Sequence, residues 1–263
     1  MSQALLRRRA ILLDELRQIV SAMRNMSVAA LQRLGKAAEV ELEAERLLTQ
    51  ALADLDTQLP PPTGIEVCLV IGSERGFCGG FNDRIAEFAK IYAAERPNMR
   101  CYVAGSRLLP LLENEWPNFT ILAGCADMED ASAAVADWLA LLLPDNVNWP
   151  PLTVIFHDEE GVKARSLFPL PPLPKSSKGA APLHYLELSH LKAGLMSEWL
   201  RLVLLSTLTR SLTVEHRWRL NQMQRADHYL EEAGIKLKGK MQRQRQNEIT
   251  VELENLMSAL EVG

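Results

Sequence analysis

Proline is missing from residues 1–59 and from 183–263, and all 14 prolines lie between Pro60 and Pro182. Before residue 60 the only glycine is Gly35. Without these two breakers, both ends can run as long uninterrupted helices. Cysteine is scarce as well. Cys68, Cys78, Cys101 and Cys125 show no CxxC spacing, which excludes the usual zinc and disulfide frameworks and predicts reduced thiols in a cytoplasmic protein. No apolar run approaches the ~18 residues that span a bilayer. Arg7, Arg8 and Arg9 are not followed by the apolar core of a secretory signal, so a soluble chain without such a leader is expected. A balance of 29 basic against 33 acidic residues, net −4, argues against a chain that coats nucleic acid with its whole surface.

The proline-free ends carry heptad-like patterns. Leu12, Leu16, Ile19, Met23, Met26 and Ala30 are spaced 4,3,4,3,4. Leu34, Ala37, Glu41, Ala44, Leu48, Ala51 and Leu55 follow at 3,4,3,4,3,4 after one extra step of four, a stutter that locally unwinds a supercoil. At the other end, Leu220, Met223, Leu230, Leu237 and Met241 fit one stripe, which Ile249, Leu253, Leu256 and Leu260 continue. Helices over 4–58 and from 189 onward would be roughly 80 Å and 110 Å long. Helices of that length must pack on each other and then on another protein.

Between them, strand and helix patterns alternate. Glu66–Ile71, Arg100–Ala104, Leu152–Phe156 and Val162–Phe168 read as strands, and Phe81–Ala94 and Met128–Leu143 as helices. The expected fold is α+β overall: a long antiparallel two-helix coiled coil, residues 1–59 and 183–263, around an inserted small α/β (Rossmann-like) domain, residues 60–182. Phe168–Pro174 and Lys175–Gly179 would form a stiff and then flexible exit loop.

Chemistry-bearing motifs are few. Gly72-Ser-Glu-Arg-Gly-Phe-Cys-Gly-Gly-Phe-Asn82 lies between a strand and a helix, where glycines can cradle a phosphate. It has neither GxGxxG nor GxxxxGK[ST] spacing, so a tight turn is the stronger reading. Cys78 could be a nucleophile at a helix start. The five histidines never form HxxxH or HExxH, and His157-Asp-Glu-Glu160 reads as a solvated turn with a cation site as the alternative. No cofactor is expected. Lys236, Lys238, Lys240, Arg243 and Arg245 stand with no acid between Ala233 and Asn247. They are open to three readings: a solvated face, a nucleic-acid patch without stacking aromatics, or an electropositive collar for an acidic partner.

Ser73-Glu-Arg-Gly-Phe-Cys-Gly-Gly-Phe-Asn82 resembles the S-[DE]-R-G-x-C-G-x-x-N string of the γ subunit of F-type ATP synthases. Ser211-Leu-Thr-Val-Glu-His216, Arg219-Leu220, Met223 and Ala226 are similar too, and Arg245-Gln246, Ile249-Thr250 and Glu252-Leu253 match that family's RQxxITxEL. Gln18-Ile-Val-Ser-Ala-Met-Arg24 resembles KITKAMK, and Leu167-Phe-Pro-Leu170 resembles LLPL. The NTxKIT stretch is replaced by Glu15-Leu-Arg-Gln-Ile-Val20, and Ala30 stands where a lysine is common, marking a divergent member.

The resemblance implies a central-stalk rotor that couples ion flow to ATP synthesis or hydrolysis without catalysing either. Its left-handed coiled coil would enter the ring of α and β subunits, with the ε subunit and the membrane c-ring as further partners. Neither nucleic-acid binding nor membrane insertion is implied. The implied location is peripheral, on the cytoplasmic face of a prokaryotic inner membrane. Implied partner contacts are Met23, Arg24, Arg243, Arg245, Gln246, Ile249, Thr250, Leu253, Leu256 and Leu260. From periodicity and motifs alone, a coiled-coil scaffold with an inserted domain and a small α/β enzyme using Cys78 remain as other readings.

Overall fold

The computed structural model describes residues 3–55, 61–113, 116, 118–143, 149–170, 172–174 and 183–261. In chain order the elements are α1 (Gln3–Asp54), β1 (Val67–Ile71), α2 (Phe81–Ala94), β2 (Arg100–Ala104), α3 (Leu109–Leu112), β3 (Phe119–Leu122), α4 (Met128–Leu142), β4 (Leu152–Asp158), β5 (Gly161–Phe168) and α5 (Leu188–Glu261). The expected helix at 56–58 and the flexible Lys175–Gly179 lie outside the described residues. Two compact units result, one from residues 1–26 and 220–263, the other from 27–219.

In the larger unit the sheet order is β3-β2-β1-β4-β5. The first four strands are parallel and β5 returns antiparallel along β4. Strands buried on both faces need apolar residues at every position, and β1 supplies them. Val67, Leu69 and Ile71 join the core beneath α4, with Trp138, Trp199 and Val203. Cys68 and Val70 join the opposite core beneath α2 and α3, with Phe81, Ile85 and Leu108. β3 was not expected. It has four residues, of which Thr120 and Ile121 are exposed, too short and too open to leave an apolar signature.

All four cysteines are free and buried. Burial pushes the thiol of Cys101 up to about 12 and that of Cys125 up to about 11, and raises those of Cys68 and Cys78. In the folded chain they should resist iodoacetamide at about pH 8, because the thiolate is the reactive form. Mass spectrometry should show alkylation only after denaturation; rapid alkylation of the folded chain would contradict this burial.

The long helices pair antiparallel in each unit. In the larger one, Glu41 meets Thr209, Glu45 meets Ser206 and Thr49 meets Trp199. Leu34 and Glu41 are buried, and Ala37, Ala44 and Leu48 half-buried, as the second heptad run predicts. Glu41 is a cost within that seam. Thr209 donates to its Oε1 at 3.0 Å, but buried Oε2 has no partner among the described residues. Desolvation raises its pKa above 4.5, so its contribution to stability is present below that value and is lost as pH rises. Glu41→Gln should therefore stabilise the chain by about 1 kcal/mol at neutral pH. Urea midpoints should show this advantage shrinking toward acid, and a destabilised variant at neutral pH would refute it.

In the smaller unit the first heptad run does not form the seam. Leu12, Leu16, Ile19 and Met26 are 48–57% exposed. The buried and half-buried row is Leu6, Ala10, Leu13, Val20, and this row also carries Arg17 and Arg24, which reach Asp227 at 3.3 and 3.1 Å. Two rows of apolar residues, one position apart, share this helix. Periodicity cannot choose between them, whereas half-buried Asp227 pairs with the arginine-bearing row. On α5 the expected stripe packs inward as far as Met241, with Met223 and Leu237 buried and Leu220, Leu230 and Met241 half-buried, whereas its continuation through Ile249, Leu253 and Leu256 is exposed.

Candidate functional site

The glycine-rich segment is a clasp in the larger unit. Asn82 accepts from the Ser73 backbone N–H at 3.0 Å and donates to Ser73 Oγ at 2.7 Å, so its amide fills the turn from inside. Gly79 and Phe77 adopt positive φ of 59° and 64°. For a bulky residue such as Phe77 this is an outlier, held because both flanking segments are tied down. At Gly105 (φ 107°) a Cβ would come within 2.5 Å of the Gly72 carbonyl oxygen, which is the close approach that requires glycine there.

Arg219 of α5 closes the clasp. Its Nε donates to the Gly76 carbonyl at 3.1 Å and its Nη2 to the Arg75 carbonyl at 3.2 Å. It is also paired with Glu215 one turn earlier, both residues being almost fully buried. Its Nη1 lies 3.2 Å from His216 Nδ1. An arginine can only donate, so His216 is the acceptor and neutral, with its proton on Nε2. Burial pushes Glu215 up to about 7 against the pull of Arg219, and burial with the Arg219 charge pushes His216 down to about 4. Arg75 pairs with Asp127 at 3.2 Å, tying the turn to the start of α4.

A phosphate-binding loop turns backbone N–H groups toward its ligand; here Asn82 takes the Ser73 N–H and Arg219 takes the Arg75 and Gly76 carbonyls, so the turn is filled by side chains of the same fold. Cys78 is buried with its thiol raised, the opposite of an activated nucleophile. The carboxylates after His157 are occupied too: Asp158 by Lys163, and Glu159 by Arg217 at 2.6 Å. Among the described residues no group of three or more His, Cys, Asp or Glu could hold a metal ion, and no helix is long and apolar enough to cross a membrane.

The expected contact residues are in the smaller unit, on the surface of the paired helices. Met23 and Arg24 are half-buried, Arg24 through Asp227. Arg243, Arg245 and Gln246 are exposed, as are Ile249, Thr250, Leu253 and Leu256. From Arg245 to Met257 every residue of α5 is exposed, so this stretch is a helix without a packing partner among the described residues. The side chain of Leu260 lies outside the described residues. Ala30, standing where the resemblance expects lysine, is buried in the larger unit. Sequence reasoning missed the outward row Leu12, Leu16, Ile19 and Met26, and the role of Glu215 and Arg219, whose i,i+4 spacing was the available signal.

The helix pair of the smaller unit thus carries apolar residues on its outside and ends in an exposed stretch of α5, while the glycine turn of the larger unit is closed. Residues 2–262 match the model of the ATP synthase family. The chain belongs to the ATP synthase γ-subunit family. It is 24% identical over 285 residues to the ATP synthase gamma chain of Geotalea uraniireducens, covering 97% of this chain and 96% of that one. It is 29% identical over 205 residues to the gamma chain of Dictyoglomus thermophilum, covering 73% and 70%. Among solved structures, a chain of the Euglena gracilis mitochondrial ATP synthase (OSCP/F1/c-ring, rotational state 3) superposes with a TM-score of 0.65 at 15% identity, over 99% of this chain and 94% of that one. A chain of the Tetrahymena thermophila central stalk and c-ring gives 0.55 at 16% identity, over 79% and 99%. As a family member the chain is a central-stalk subunit of a rotary ATP synthase, and the recognition motifs map onto the clasp and the α5 tip.

Proposed function

We propose that residues 1–59 and 183–263 form a rotor shaft inside a ring of α and β subunits. Residues 60–182 would form the foot that meets the ε subunit and the c-ring, at the cytoplasmic face of a prokaryotic inner membrane. The observation that carries this reading is that every residue of α5 from Arg245 to Met257 is exposed. An apolar tip of Ile249, Leu253, Leu256 and Leu260 suits a bearing, because non-directional contact has no preferred angle. Arg243, Arg245, Gln246 and Thr250 supply polar contacts whose energy varies with angle. Met23 and Arg24 offer their exposed edges beside the outward Leu12, Leu16, Ile19 and Met26. A shaft shifts each surrounding site only by contacting its conformations unequally.

Co-expression with its α and β subunits, followed by native mass measurement, should find one copy of the chain per ring; two copies, or a symmetric homo-oligomer, would reject the reading. In assembled complexes Arg245→Ala should lower ions moved per ATP more than it lowers the yield of complex, since a charge-assisted contact made at only some angles changes relative state energies. Unchanged coupling would remove Arg245 from this role.

A further inference from the structure

Residues 3–13 and 233–247 contain Arg7, Arg8, Arg9, Lys236, Lys238, Lys240, Arg243 and Arg245 and no Asp or Glu. All eight side chains are exposed. Among the described residues only Lys236 has a counter-ion, Glu232 at 3.6 Å, and the other seven make no hydrogen bond or ion pair. The two segments lie at one level of the helix pair, because Lys238 lines the same groove as Ala10, Ile11 and Asp14.

Their angular distribution is informative. At about 100° per residue, Lys236, Lys240 and Arg243 fall on one flank of α5 and Lys238 and Arg245 on the other, with Leu237, Met241 and Gln244 turned inward between them. On α1, Arg7 and Arg9 straddle the inward row of Leu6, Ala10 and Leu13, and Arg8 lies outside. Cations therefore occupy both flanks of the pair and the outer side of α1. Only the outer face of α5, with Ile235, Gln242 and Gln246, is uncharged. Like charges facing across two paired helices repel, and no acid in either segment relieves this. The arrangement suits a molecule whose counter-charges are supplied from outside and from almost every side.

Resting on the rotor reading above, we propose that six of these side chains, Arg7, Arg8, Arg9, Lys236, Lys238 and Lys240, form one electropositive collar beside the angle-dependent Arg243 and Arg245, and that it takes carboxylate side chains of the surrounding ring at nearly every rotation angle. The collar retains the shaft axially and speeds its entry. It differs from the angle-dependent contacts because rotation replaces one cation by the next.

Two triple variants test this, Arg7→Gln/Arg8→Gln/Arg9→Gln and Lys236→Gln/Lys238→Gln/Lys240→Gln, both made in the full chain at exposed positions. In the isolated chain, either triplet, or about 0.5 M NaCl added to the wild type, should slow amide exchange in 3–13 and 233–247, because each removes repulsion. Faster exchange would overturn the collar. With the α/β ring at low salt, either triplet should slow association on the order of tenfold, a difference that vanishes at about 0.5 M salt. In the complexes that do form, ions moved per ATP should stay at the wild-type ratio. Equal association rates, or full assembly with a lowered ratio, would each overturn the proposal. Tighter capture of an oligonucleotide than of the ring would do so by making nucleic acid the occupant. Failure of the wild-type chain itself to enter the ring would instead reject the rotor reading, with the exchange experiment unaffected.

Discussion

Arg219→Met should destabilise the chain by about 3–5 kcal/mol, the range expected when one partner of a buried ion pair is removed. The variant leaves Glu215 buried without its cation, and leaves the Arg75 and Gly76 carbonyls without their donor. Chemical denaturation should show the loss, and amide exchange should place its first effects in residues 72–82. Adding Glu215→Gln should recover part of it, because the two changes share one interaction. A loss under 1 kcal/mol would mean that the clasp does not hold the turn. The clasp also predicts a pH response. His216 is depressed to about 4, so its contribution is complete above the unfolded value near 6.5 and is lost as pH falls from there through 4. His216→Gln keeps an acceptor for Arg219 and should flatten the acid limb of the stability curve; an unchanged limb would exclude His216 as its source.

Removing Ile249–Gly263 should have the opposite profile. Residues 249–257 are all exposed, so the isolated chain should unfold at the wild-type midpoint. In the assembled enzyme the same deletion should lower coupled turnover by about tenfold or more, equivalent to ~1.4 kcal/mol of transition-state stabilisation. Assembly should persist, since the basic segment before residue 249 is kept. Wild-type turnover by the truncated complex would show that the tip carries no torque-dependent contact. A lowered unfolding midpoint would show that it packs on the chain itself.

The contrast between the two variants shows where sequence and structure divide. The proline-free ends and their apolar spacing determined two long helices, because helix formation is local and a missing breaker can be read directly. Strands β1, β2 and β4 were legible for a related reason: a strand buried on both faces must be apolar throughout, as in Val67–Ile71. The motif from Ser73 to Asn82 pointed to the family, yet it did not reveal that Arg219, well over a hundred residues later, closes the turn. Such a contact depends on α5 returning past the sheet, and no local pattern encodes that return. The orientation of α1 in the smaller unit was likewise hidden. Leu12, Leu16 and Ile19 satisfy a heptad as well as Leu6, Leu13 and Val20 do, and apolar spacing alone is silent on which row meets a partner. Tertiary structure decided it by placing Asp227 against Arg17 and Arg24. A charge in a seam must find its counter-charge, and that requirement turned the remaining apolar row outward.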